Sequence, residues 1–249
     1  MRCVRGAGAV LLCGSVVLAA CGGDRRSATR ASSGEPASNK TAAAPEGSGA
    51  LAAGATSGAR QTVLFLGTSL TAGLGLEPDS AYPQQLQRKI DAAGLPYQTV
   101  NAGVSGETSA GLLRRLDWVL QRPAAVIVVE TGANDGLRGL AVEATKATIG
   151  QILERIRRDR PEARVALMQM EAPPNLGASY TRAFHAMYPA LAREHGATLL
   201  PFLLDSVAGH LSLNQPDGIH PNYVGERLVT ETVWRGLERL LRAPATPAH

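Results

Sequence analysis

Between Thr62 and Leu241 the chain alternates strand-like segments with amphipathic stretches, five of each, and this alternation restricts it to few architectures. Val63–Leu66, Gln98–Asn101, Ala125–Glu130, Arg164–Met170 and Thr198–Phe202 read as strands, several of them apolar enough to be buried on both faces. Tyr82–Ala93, Ser109–Gln121, Val142–Asp159, Tyr180–His195 and Asn222–Leu241 read as helices. Leu86, Ile90 and Ala93 recur at helical spacing, as do Leu112, Leu113, Leu116, Val119 and Leu120, while Gly94, Pro161 and Gly196 stand where helices should stop. Strands and helices in strict turn predict the α/β class: a five-stranded parallel sheet with right-handed crossovers and helices on both faces. About 180 residues of this pattern suffice for one domain with an ample core.

The first quarter differs in kind. Met1 to Ala20 carries Arg2 and Arg5 before an apolar stretch from Ala7, too short to span a bilayer but fit for a secretory signal. It ends Leu18-Ala19-Ala20-Cys21, which resembles the lipobox of bacterial lipoproteins, in which the cysteine is lipidated. That resemblance implies a signal peptide over 1–20, a membrane anchor at Cys21 and an extracytoplasmic location in the periplasm or cell envelope. Residues 21–60 are Ala, Ser, Gly, Thr and Pro with almost no large apolar side chain, the composition of a disordered tether. The folded domain is expected over 61–243, with 244–249 a flexible tail. Cys3, Cys13 and Cys21 are the only cysteines, so neither a disulfide scaffold nor a thiolate metal site is available to the domain. Net charge is +4, yet five arginines precede residue 31 and no basic stripe interleaves with aromatics, which argues against nucleic acid. Arg155, Arg157, Arg158 and Arg160 alternate with acids on what reads as a solvated helix end. The domain is expected to be a monomer.

In an open parallel sheet the loops after the strand C-termini converge on one crevice. Those loops hold Ser69, then Asn101-Ala102-Gly103-Val104-Ser105-Gly106-Glu107-Thr108, then Thr131-Gly132-Ala133-Asn134-Asp135-Gly136, with Asp217-Gly218-Ile219-His220-Pro221 before the last helix. Serine is a weak nucleophile until a base takes its proton. His220 is the candidate base, and Asp217, three residues earlier in a Gly/Pro-closed turn, can hold the imidazole Nδ1. The Ser69 amide, the Gly106 amide and the Asn134 side chain are natural donors to an oxyanion. Glu107 and Asp135 are expected to brace loops or cap helices, Glu171, Asn175 and Tyr180 to border the cleft, and Trp118 and Trp234 to be core. Other readings of the Gly67–Gly75 stretch fail on spacing. No Lys-Ser/Thr pair follows it, its glycines do not fall as G-x-G-x-x-G, and Thr71 breaks the G-x-S-x-G elbow. His185, His195 and His210 stand apart from one another, so no metal and no cofactor are expected.

The ordered blocks Gly67-Thr68-Ser69-Leu70-Thr71-Ala72-Gly73, Asn101–Thr108, Gly132-Ala133-Asn134-Asp135 and Asp217–Pro221 resemble those of the SGNH/GDSL hydrolases. Gly132–Gly139, Met168-Gln169-Met170 before a Pro-Asn loop, Tyr188–Ala192 and Leu200-Pro201-Phe202 are similar to the bacterial thioesterase I/lysophospholipase I group within that superfamily. The resemblance covers Thr62 to Leu241. It implies a flavodoxin-like three-layer α/β/α sandwich, Ser69 as nucleophile with Asp217 and His220 completing the triad, and Gly106 and Asn134 joining Ser69 in the oxyanion hole. It implies a serine esterase acting on acyl esters, thioesters or lysolipids. A carbohydrate acetyl-esterase of the same fold and a non-catalytic acyl- or glycan-binding lipoprotein are the alternatives. Two positions depart from the pattern: Thr68 stands where the family usually has Asp, and Ala133 where close relatives have Gly, which adds a methyl beside the oxyanion site.

Overall fold

Strand β1 (Gln61–Gly67) lies inside the sheet: Val63, Leu64, Phe65 and Leu66 are fully buried, and strands lie on either side of it. The computed structural model describes residues 59–243. The signal-peptide, Cys21 and tail expectations, and the tether but for its last two residues, lie outside the described residues. At the start of the described part Arg60 pairs with Asp91 at 2.6 Å.

Five strands form one parallel sheet in the order β2-β1-β3-β4-β5, with β2 Tyr97–Gly103, β3 Val126–Val129, β4 Arg164–Gln169 and β5 Thr198–Phe202. Tyr82–Ala92 (α2) and Tyr223–Arg242 (α7) pack together on one face. Ser109–Val119 (α3), Val142–Asp159 (α5) and Ala178–Glu194 (α6) pack side by side on the other. This is the expected three-layer α/β arrangement, and element bounds agree with the sequence reading to within a few residues. Two short helices, α1 (Ser69–Ala72) and α4 (Ala133–Leu137), occupy stretches that read as loops. At four and five residues they are too short to show a hydrophobic period.

Packing accounts for the layers. Every side chain of β3 is buried, as covering both faces of a parallel sheet requires. On α3, Leu112, Leu116 and Val119 turn inward, with Leu113 half-buried. Trp118, expected in the core, is instead 68% exposed, because it falls between those inward positions. Trp234 is half-buried against the core, with Lys89 Nζ 5.6 Å from its ring centroid.

The strand order reverses between β1 and β3, and open α/β sheets bind ligands at such a switch point. Ser69 follows β1 and Asn134 follows β3, so both stand at that crevice.

Candidate active site

Ser69 begins α1, directly after β1 turns, and the turn needs its neighbours. A Cβ on Gly67 would lie 1.9 Å from Thr71 Oγ1 and 2.8 Å from Glu130 Oε2, so only glycine lets the strand end this close to the helix. Thr68 caps α1 through a long contact, Leu70 N–H to Thr68 Oγ1 at 3.4 Å. Ser69 itself is 7% exposed.

His220 reaches Ser69 from 151 residues away, its Nε2 2.8 Å from Ser69 Oγ. Its Nδ1 lies 2.7 Å from Asp217 Oδ2. A carboxylate only accepts, so Nδ1 carries the proton and Nε2 faces the hydroxyl as acceptor. The hairpin behind this geometry is closed by Asn214–Pro221 bridging and by Gln215 N–H donating to His220 O at 2.7 Å. Gln215 Nε2 also donates to Leu74 O at 2.7 Å, tying the histidine loop to the segment just after α1. Asp217 Oδ1 accepts from the backbone amides of His220 (3.0 Å) and Ile219 (2.9 Å). Those amides, followed by the imidazole, lower the Asp217 carboxyl to about 2.

Gly106 and Asn134 complete the convergence. Gly106 has φ +76°, a conformation that glycine adopts without penalty, and an added Cβ would meet nothing there. Backbone conformation, not space, calls for the residue. Asn134 Nδ2 donates one hydrogen to Glu107 O at 2.9 Å, and the second remains for another acceptor. Ser69, His220, Gly106 and Asn134 all line one cleft of about 570 Å³. Leu74, Leu137, Met170, Pro173, Phe202 and Leu204 supply much of its wall, which is chiefly apolar. Of the three residues expected at its border, Glu171 is there, held by His185 Nδ1 at 2.6 Å. Asn175 and Tyr180 are not among the lining side chains; the Tyr180 hydroxyl instead donates to Leu140 O at 2.7 Å.

The GDSL-like Lipase/Acylhydrolase family model matches residues 65–228. The chain belongs to this family. Among its relatives, Esterase TesA of Pseudomonas aeruginosa is 38% identical over 184 residues, 74% of this chain and 90% of that protein. Thioesterase 1/protease 1/lysophospholipase L1 of Escherichia coli (strain K12) is 38% identical over 184 residues, 74% of this chain and 86% of that one. The crystal structure of the psychrotrophic esterase EstA from Pseudoalteromonas sp., inhibited by monoethylphosphonate, superposes with a TM-score of 0.69 at 33% identity, covering 74% of this chain and all of that one. This GDSL-like protein is thus a carboxylic ester hydrolase with the α/β fold of its esterase neighbours.

One residue of this GDSL-like site escapes sequence reasoning. Glu130 follows β3 and is fully buried beneath the nucleophile turn. Its carboxylate accepts from Thr68 N–H at 2.7 Å, Thr68 Oγ1 at 2.9 Å and Thr71 Oγ1 at 2.9 Å. Thr71 in turn meets Tyr82 OH at 2.9 Å. Burial raises the Glu130 carboxyl, and the Thr68 and Thr71 hydrogen bonds oppose that rise. Thr68, where the family usually has Asp, thus presents a hydroxyl and an amide to this buried acid. The available signal is register: Leu66 pairs with Val129, which sets Glu130 beside Gly67. On the other side of the site Glu107 pairs with Arg115 at 2.7 Å, and Asp135 accepts from Ser109 N–H and Oγ–H at 2.8 and 2.6 Å. Both acids brace the start of α3, as expected.

Proposed function

We propose that this hydrolase is a serine esterase of the arylesterase, acyl-thioesterase or lysophospholipase type, cleaving acyl esters or thioesters through Ser69, His220 and Asp217. The observation that carries the reading is the unbroken relay from Asp217 Oδ2 through His220 to Ser69 Oγ, at 2.7 and 2.8 Å. His220 Nε2 takes the Ser69 proton as Oγ attacks the acyl carbon, then returns it to the leaving oxygen or sulfur. Asp217 holds the tautomer and stabilises the imidazolium. The developing oxyanion is held by the Ser69 and Gly106 amides and the free hydrogen of Asn134 Nδ2. Water activated by the same histidine releases the acyl group. The relatives' names, esterase and thioesterase 1/lysophospholipase L1, support this range of leaving groups.

The apolar wall of the cleft favours a fatty acyl chain over the acetyl group of a carbohydrate ester. Each methylene buried contributes about 0.8 kcal/mol, or about fourfold in kcat/KM, until the wall is covered. Hydrolysis of p-nitrophenyl esters from C2 to C12 by the protein, with Ser69→Ala alongside, tests both points. Activity abolished by the substitution and rising beyond C2 is expected. Activity highest on C2 favours the acetyl-esterase, and a folded protein inert on every ester favours the binding lipoprotein.

We also infer that Cys21 carries a lipid anchor holding the domain outside the cytoplasm, on the strength of Leu18-Ala19-Ala20-Cys21 following Arg2, Arg5 and an apolar stretch. Cys21→Ser should abolish incorporation of labelled palmitate and release the protein from membranes; unchanged labelling contradicts the anchor.

A further inference from the structure

Large hydrophobic side chains that reach solvent gather around the mouth of the cleft. Leu74, Leu137 and Ile219 line the cleft and are exposed as well, so they form its rim. Beyond Ile219 the apolar surface continues. Leu211, 82% exposed, opens a 3₁₀ turn (Leu211–Leu213) that is bonded to the start of α7. Asn222 Nδ2 donates to Ser212 O at 2.9 Å, and the Asn222 amide donates to Leu213 O at 2.9 Å. These bonds set Leu211 beside the first turn of α7, where Tyr223 and Val224 are exposed, with Leu228 one turn further on. His220 lies in the same stretch, so the patch and the rim belong to one continuous piece of chain. Arg227, also exposed, shares the outward face of α7. The apolar side chains stand out from a turn and a helix start rather than lining a groove, which suits a fluid hydrocarbon layer better than a protein partner with a shape to match.

The position of the chain's first quarter points the same way. β1 starts at Gln61, at the sheet edge opposite the cleft, and its seven residues set the two edges about 23 Å apart. Residues 22–58 lie between Cys21 and the described domain, and a chain of that length reaches up to about 120 Å. An anchor at Cys21 therefore leaves enough chain for the domain to turn its cleft edge toward the bilayer that holds it.

We propose that Leu211, Tyr223, Val224 and Leu228 form a docking surface for a lipid bilayer, which lays the mouth of the cleft on the membrane. The proposal rests on the lipid-anchor reading for the nearness of a bilayer; the surface itself depends neither on lipidation nor on which ester is cleaved. Tyr223 suits the headgroup level and Arg227 the lipid phosphates. Even a single acyl chain binds a bilayer only marginally, so a patch of this size orients the domain while the anchor retains it.

The test uses residues 22–249, the processed chain without the cysteine that would carry lipid, and vesicles of diether phosphatidylglycerol and diether phosphatidylcholine, which offer no ester to cleave. The parent is expected to co-sediment with these vesicles at millimolar lipid. Leu211→Asp and Val224→Asp should each weaken that binding about tenfold. Trp118→Asp, which removes an exposed hydrophobic side chain on α3, should leave it unchanged. Circular dichroism checks that each variant is folded, and p-nitrophenyl butyrate hydrolysis should stay within twofold of the parent, since neither Leu211 nor Val224 lines the cleft. A folded parent that stays in solution at millimolar lipid, or variants that all bind alike, overturns the docking surface and leaves the esterase intact. A parent that self-associates in solution and is made monomeric by Leu211→Asp, without binding vesicles, assigns the face to a second copy and overturns it as well. Proteins that bind vesicles as expected but are inert on every ester overturn the serine-esterase reading alone.

Discussion

Glu130 Oε2 accepts the Thr68 amide hydrogen at 2.7 Å, one residue before Ser69 and beneath a strand end that glycine alone can form. The bond joins the tips of the neighbouring strands β1 and β3 at the point where the sheet order reverses. Replacing Glu130 by Ala strands three buried donors, each unsatisfied group costing about 1–3 kcal/mol. We expect the urea midpoint to fall and kcat to drop about tenfold or more with KM little changed, since Ser69 is displaced from His220 while the cleft wall stays. Glu130→Gln retains an acceptor and should lie between. A Glu130→Ala variant with parental midpoint and kcat would contradict a positioning role.

Asn134→Ala should lower kcat by about 10²–10³ with little change in KM, the mark of an interaction made only in the transition state. Steady-state kinetics on one p-nitrophenyl ester decide it. If KM rises while kcat holds, Asn134 serves binding rather than the oxyanion.

The lowered Asp217 carboxyl fixes the sign of an acid effect. A group depressed to about 2 in the fold and near 3.9 unfolded adds stability above the latter, and that stability is lost as pH falls toward the former. Acid unfolding of the parent and of Asp217→Asn should therefore converge between about pH 4 and pH 2. The gap is small, because the side chain is 44% exposed. Curves separated by the same gap at pH 2 as at pH 6 would contradict the assignment.

Glu226 has the opposite sign. Nearly buried on α7 and accepting from Tyr82 N–H at 2.8 Å, its carboxyl is raised by desolvation to about 8. The fold prefers it protonated, so stability falls as pH rises from about 4.5 toward about 8 and levels beyond. Glu226→Gln keeps an acceptor for Tyr82 without the charge, and its advantage over the parent should grow by a few kcal/mol across that window. Melting temperatures at pH 5 and pH 8 measure it. A constant difference would mean that Glu226 does not take up its proton on folding.

The layered fold is legible because β1 and β3 are continuous apolar runs and the helices between strands keep one inward stripe. The residues that gather at the crevice are legible for a related reason: strand direction alone sends Ser69, Gly106 and Asn134 to one edge, and Asp217 and His220 sit three apart in one turn. Glu130 is hidden because an acid at a strand end looks like any loop carboxylate until register sets it under Gly67. Trp118 misleads because it lies about 120° around α3 from the stripe through Leu112, Leu116 and Val119. Hydrophobicity there does not mean burial. Gln215, which ties the histidine hairpin to Leu74, carries no sequence signal; its role comes from two loops 141 residues apart.

The central claim is that Ser69 is the nucleophile driven by His220, and covalent trapping tests it most directly. Treated with a fluorophosphonate ester and weighed intact, the protein should gain one phosphonyl group on the peptide containing Ser69, in step with loss of esterase activity. Ser69→Ala should gain none, and His220→Ala should label far more slowly. A label on another residue, or a Ser69→Ala protein that keeps its activity, would contradict the account.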